Sequence, residues 1–131
     1  MSKTQTVSKL KKKLDTLFSQ YVRRKDADYL GMVNCYTCGV TKHYKEMHAG
    51  HFQSRRHIST RWHLTNVKVQ CPKCNLFSQG EQYKFGIYLD QREGPGTAEE
   101  MRMLANSICK VNKKEYEERI KDMSLLIKEL D

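Results

Sequence analysis

Apolar residues fall at helical spacing near both ends of this chain, with short irregular pieces between. Val7, Leu10, Leu14, Leu17 and Tyr21 recur at alternating steps of three and four, which predicts a helix over residues 5–25. Lys9, Lys11, Lys12, Lys13, Arg23, Arg24 and Lys25 lie largely off that stripe, and residues 26–31 read as its exit loop. Residues 43–49 and 66–70 predict two short strands, separated by a polar loop over 53–63 that is rich in Arg and His. A helix is expected over 75–90, with Leu76, Phe77, Tyr83, Ile87 and Tyr88 available to pack, and Gly94-Pro95-Gly96 is a hard stop. Thr97 as N-cap with Glu100 at the third helical position fits a capping box that opens a helix to about residue 109. Asn112 can cap a last helix to about residue 130, along which Tyr116, Ile120, Met123, Ile127 and Leu130 recur at steps of four and three. The two terminal stripes either pack on each other or on the core, or form the seam of a homodimer.

These elements describe a small α+β protein: a basic N-terminal helix in 1–30, a core of short strands in 31–92, and C-terminal helices in 93–131. The 131 residues leave room for one domain and its appendages. No stretch reaches the roughly 18 consecutive apolar residues of a membrane span. The basic N-terminus has no apolar region of the kind a signal peptide carries, so the expected compartment is the cytoplasm. The formal net charge is +9, unevenly spread: residues 1–30 carry +5, residues 31–80 carry +6 and residues 81–131 carry −2. So basic a surface on a small protein points to a polyanion, and to nucleic acid first.

The five cysteines are Cys35, Cys38, Cys71, Cys74 and Cys109. An odd count without a secretion signal argues against a disulfide framework. Four of them form two Cys-x-x-Cys turns with 32 residues between. Four thiolates suit tetrahedral Zn²⁺, and a two-residue spacer lets one tight turn present two sulfurs. Zinc held by Cys35, Cys38, Cys71 and Cys74 would be structural, because four protein ligands leave no open position. Cys109 has no partner motif and reads as a buried core thiol.

The span between the pairs exceeds the roughly 15–20 residues of a common zinc ribbon, which leaves room for a loop with its own task. It holds His48, His51, Arg55, Arg56 and Asn66, and Asn75 follows Cys74 directly. On a ββα unit these residues can cut a phosphodiester with one metal. A histidine takes the proton of the attacking water, a hard divalent cation sits on the scissile phosphate, an oxygen ligand holds that cation, and arginine holds phosphates. His43, His57 and His63 read as surface or phosphate-contacting residues, and Trp62 as a core anchor.

Here the pattern resembles a family. Cys35-Tyr-Thr-Cys38-Gly39, Ala49-Gly50-His51-Phe52, Ser54-Arg55-Arg56, Arg61-Trp62, Asn66-Val67, Gln70-Cys71-x-x-Cys74-Asn75 and Gln82-Tyr83 to Gly86-Ile87 are similar to the lambdoid-phage NinG/Rap recombination proteins over about two-thirds of the chain. They also resemble the HNH (ββα-metal) nucleases stapled by two Cys pairs, with Asn75 placed like the metal-ligand asparagine of endonuclease VII-type resolvases. The resemblance implies a zinc-stapled ββα-metal core. It implies His51 as general base, Asn75 as a ligand of catalytic Mg²⁺ or Mn²⁺, and Asn66 as the residue that pins the loop and orients the base. Arg55, Arg56, Arg61, Lys68 and Lys73 become the DNA-binding candidates. The implied activity is cleavage of branched DNA in phage recombination, such as Holliday junctions or D-loops, alongside other recombination proteins.

One position departs from that pattern. Many HNH enzymes place Asp just before the base, where this chain has Gly50. His48 is a candidate second ligand, though strand alternation puts it on the face opposite His51 unless the strand bulges. Glu46, the one acid in residues 31–80, is another. Otherwise water and phosphate oxygens complete the shell. Gly50 also supports a competing reading, a zinc-stabilised DNA-binding recombination accessory protein without catalysis. A third, a scaffold whose terminal helices bind other proteins, fits poorly with the charge excess in residues 1–80.

Overall fold

A computed structural model describes residues 5–131 as α1 (Val7–Arg24), β1 (Met32–Asn34), β2 (Thr41–His43), β3 (His48–His51), a single helical turn α2 (Ile58–Arg61), β4 (Val67–Gln70), α3 (Gln82–Glu93), α4 (Thr97–Ala105) and α5 (Lys113–Glu129). Two small antiparallel sheets form, β1 with β2 and β3 with β4. In the second, His48 pairs with Gln70 and His51 with Val67 in regular register, without a bulge. The protein is thus a small α+β fold. None of its described helices is long and apolar enough to cross a membrane.

Thr6 caps α1, its hydroxyl accepting from the Lys9 amide at 3.2 Å. The buried side of α1 is Leu10, Leu14, Phe18 and Val22, with Leu17 half-buried and Val7 exposed. The stripe advances by fours because the two halves of α1 meet different partners. Leu10 and Leu14 pack with Tyr116 and Ile120 of α5, while Phe18 and Val22 lie against Val67 and Ala49 of the β3–β4 hairpin. Leu10 and Leu14 of the first stripe thus meet Tyr116 and Ile120 of the second within one chain. Truncating any of these fully buried side chains to alanine should cost about 2–5 kcal/mol. Trp62 stands edge-on to Tyr116 at 5.5 Å and anchors the hairpin loop to this layer. As the sequence predicts, Asn112 caps α5, accepting from the Glu115 amide at 2.9 Å.

Several elements differ from the sequence expectation. The strand expected over 43–49 is broken by a 3₁₀ turn at Tyr44–Glu46, which carries the chain from one sheet to the other and buries Met47 among the zinc-type cysteines. The helix expected from residue 75 begins only at Gln82. Residues Lys73–Phe77 form a π turn, and Gln79 and Glu81, with Gly80 between them, take left-handed backbone angles. The turn brings the Cys74 sulfur round to its partners and is closed by Gly80 N to Cys74 O at 2.7 Å. Leu76, Phe77 and Tyr83 consequently stay exposed rather than packing. Thr97 is not the N-cap of α4. Gly96 precedes the helix, and Asp90 of α3 accepts from the Ala98 amide at 2.9 Å in place of a local capping box. Because α4 ends at Ala105, Cys109 lies in the following loop, half-buried, not deep in the core.

Candidate functional site

The first cysteine turn closes with Gly39 N on Cys35 O at 3.0 Å, and Gly39 at φ +80° takes an angle that residues with a Cβ rarely adopt. Asn75 N bonds Cys71 O at 3.0 Å in the second turn. Val33, Met47 and Val69 pack around Cys35, Cys71 and Cys74. All four sulfurs lie within 4.8 Å of one another, and those of Cys38 and Cys71 are 3.6 Å apart. Tetrahedral Zn–S bonds of about 2.3 Å place sulfurs roughly 3.8 Å apart, so the cluster fits a zinc ion. Burial pushes the Cys74 thiol up to about 12. For Cys35 burial pulls the same way, but the Thr37 hydroxyl and the surrounding amides outweigh it and bring the thiol down to about 6.

Beside this staple, a cleft of about 450 Å³ runs between α1 and the free edge of β3, bordered by Asp15, Ser19, Arg23, His48, His51 and Arg55 among others. His51 Nε2 lies 2.9 Å from the Arg61 carbonyl. A carbonyl only accepts, so Nε2 carries the proton and Nδ1 keeps a free lone pair. Burial depresses the His51 basicity below its ordinary value, against the pull of the Arg61 carbonyl. The loop that carries Arg61 is pinned by Asn66, which is wholly buried. Asn66 Oδ1 accepts from the Gln53 amide at 2.7 Å, and Nδ2 donates to the Gln53 and Thr60 carbonyls at 3.1 and 3.0 Å.

His48 and Asn75 come together on the hairpin's other side, where Asn75 Nδ2 donates to His48 Nδ1 at 3.1 Å. The regular register turns His48 and His51 to opposite faces, although both border the cleft along the β3 edge. One amide and one imidazole, without a carboxylate, suit a cation that keeps most of its water shell. Glu46 lies exposed on the 3₁₀ turn. Position 50 offers no ligand. A Cβ built there would meet Gln70 Oε1 at 1.9 Å, and Gln70 is buried and held by Thr37 Oγ1 and the Gly80 carbonyl.

The cationic candidates divide by engagement. Arg61 is bound to Asp15 through Nε (3.1 Å) and Nη2 (2.6 Å), and Lys68 is paired with Glu93 at 2.7 Å over the Tyr36 ring. Arg55 makes a single bond to Asp15, at 2.7 Å, and stays largely exposed. Arg56, beside His57, and Lys73, on the π turn, are exposed. Asp15 is a site residue that the sequence reading passed over. Burial raises its carboxyl, but Arg61 and Arg55 outweigh that and hold it below the usual carboxylate range. Its signal was available: it is the sole acid among the first 25 residues, set in a run of lysines.

No curated protein and no solved structure matches the chain. A family model does match, over residues 1–131, and by that match the chain belongs to the NinG family, that of the Bacteriophage Lambda NinG protein.

Proposed function

We propose that this chain is a metal-dependent DNA endonuclease of HNH type that acts on branched DNA in phage recombination, with His51 as general base. The observation that carries the reading is the His51–Arg61 bond, which leaves Nδ1 of a neutral imidazole free beside an open, basic cleft. Asn66 supports it by holding the loop that supplies the carbonyl. His51 Nδ1 takes the proton of water as the water oxygen bonds to phosphorus and the P–O3′ bond breaks, leaving a 5′-phosphate and a 3′-oxygen that takes its proton from solvent. Asn75 and His48 are the residues that would hold Mg²⁺ or Mn²⁺, which would neutralise the scissile phosphate and the leaving oxygen. Arg55 and Arg56 meet phosphates of the bound strand.

The decisive experiment is cleavage of an end-labelled four-way junction and its matched linear duplex in Mg²⁺, Mn²⁺ or EDTA, wild type against His51→Ala. The expected result is metal-dependent cutting of the junction, slowed about 10²–10⁴-fold in the variant, with DNA binding retained. Equal cutting of both DNAs would discard branch selectivity. The filled space at Gly50, which excludes a carboxylate before the base, favours a second reading, a zinc-stabilised DNA-binding accessory protein. Salt-sensitive binding without cutting in any metal would establish that reading instead.

A further inference from the structure

We propose that Asp15 is a positioning residue that sets the base from the first helix and holds Arg55 ready for a DNA phosphate. The carbonyl facing His51 belongs to the peptide that joins Arg61 to Trp62. Both flanking side chains end on one carboxylate: Arg61 reaches both Asp15 oxygens, and Trp62 Nε1 donates to Oδ1 at 2.9 Å. Asp15 therefore clamps that peptide from the α1 side, while Asn66 holds the preceding carbonyl, Thr60, from beneath. Two ties on adjacent side chains fix the orientation of the carbonyl, and hence which nitrogen of His51 carries the proton.

The same carboxylate treats its two arginines unequally. Arg61 has two bonds to it and a side chain 17% exposed, whereas Arg55 has one bond and is 58% exposed. Arg55 also shares Oδ2 with Arg61, so it is the arginine released when a phosphate oxygen offers a charge-assisted bond. Asp15 keeps Arg61 in place throughout. The inference rests on the endonuclease reading for its rate readout alone.

The test is Asp15→Asn, read three ways. Long-range ¹H–¹⁵N spectra of the zinc-loaded protein without added Mg²⁺ or Mn²⁺ should show the pure Nε2–H signature of His51 give way to mixed tautomers. Affinity for junction DNA under the same conditions should rise about two- to fivefold as Arg55 is freed. With metal, kcat should fall about ten- to hundredfold without a rise in KM. An unchanged His51 spectrum overturns the clamp, and unchanged or weaker DNA affinity overturns the hold on Arg55. If Asp15→Asn fails to fold, Trp62→Phe, which removes one tie and keeps the ring, must still blur the His51 signature, and an unaltered spectrum overturns the clamp. Arg55→Ala must weaken junction binding, and equal affinity overturns the Arg55 role. A wild type that binds but never cuts overturns the endonuclease reading, while the spectra and affinities judge Asp15 independently.

Discussion

Gln70 occupies the space that a side chain on Gly50 would need, its Oε1 lying 1.9 Å from the position of a Cβ. That oxygen is buried without a hydrogen-bond partner among the described residues, and Gln70 is tethered through Nε2 at two points, so it cannot simply swing aside. Gly50→Ala should cost about 1–3 kcal/mol through overpacking, read from urea midpoints. Gly50→Asp should cost more and should not raise metal-dependent cutting. Adding Gln70→Ala should recover part of the loss in a double-mutant cycle, and strictly additive costs would contradict the steric account.

The pH dependence follows from the burial of His51, which lowers its basicity more than the Arg61 carbonyl raises it. Only the neutral ring can accept a proton, so the acid limb of the cleavage rate should fall below the ordinary value of about 6.5. Between the lowered folded value and about 6.5, the unfolded chain binds more protons than the folded one. Acidification through that window should reduce stability, and His51→Gln should remove that share of the slope. A cleavage limb centred above pH 7 would contradict a buried neutral base.

Zinc removal should act on structure before chemistry. The cysteines pack with Val33, Met47 and Val69, and the π turn that places Asn75 follows from Cys74 turning inward. A strong chelator or Cys71→Ala should therefore abolish cleavage and loosen β1, β2 and the π turn together, as hydrogen exchange would show. Because zinc needs thiolates, acidification should release it even at constant total metal. Full cleavage by metal-stripped protein in Mg²⁺ would remove zinc from the account.

Asn66→Ala should cost about 1–3 kcal/mol, because it strands the Gln53 amide and carbonyl and takes from the Thr60 carbonyl one of its bonds, leaving the one from the His63 amide. The loss should appear in thermal melts, together with a slower cleavage rate. A cleavage defect at unchanged stability would instead place Asn66 against substrate.

The terminal helices were legible because Leu10, Leu14, Tyr116 and Ile120 repeat at helical spacing and Asn112 is a local cap. The cysteine cluster was legible because two-residue spacers have few uses. The rest depended on distant partners. Leu76 and Phe77 sit at helical spacing, yet the metal-type turn at Cys74 overrides that preference and leaves both exposed. Thr97 has the local grammar of a cap, but Asp90, eight residues before Ala98, takes the role. Asp15 stands out as the one acid in a run of lysines, but its partners lie 40 to 47 positions along the chain, where no local pattern points.

The pairing of α1 with α5 also sets an order of events during synthesis. The helix that carries Asp15 emerges first, but the side chains that cover Leu10 and Leu14 arrive only with residues 113–129. The cysteine cluster is complete much earlier, at residue 74, and packs without either terminal helix. A nascent chain therefore has all four cysteines and every partner of Asp15 before the helix that covers Leu10 and Leu14 has been made. A polypeptide stopped at residue 110 should bind zinc, expose the face of α1 to a hydrophobic dye, and leave DNA uncut. Such timing would keep a cutting activity silent until α5 has been made.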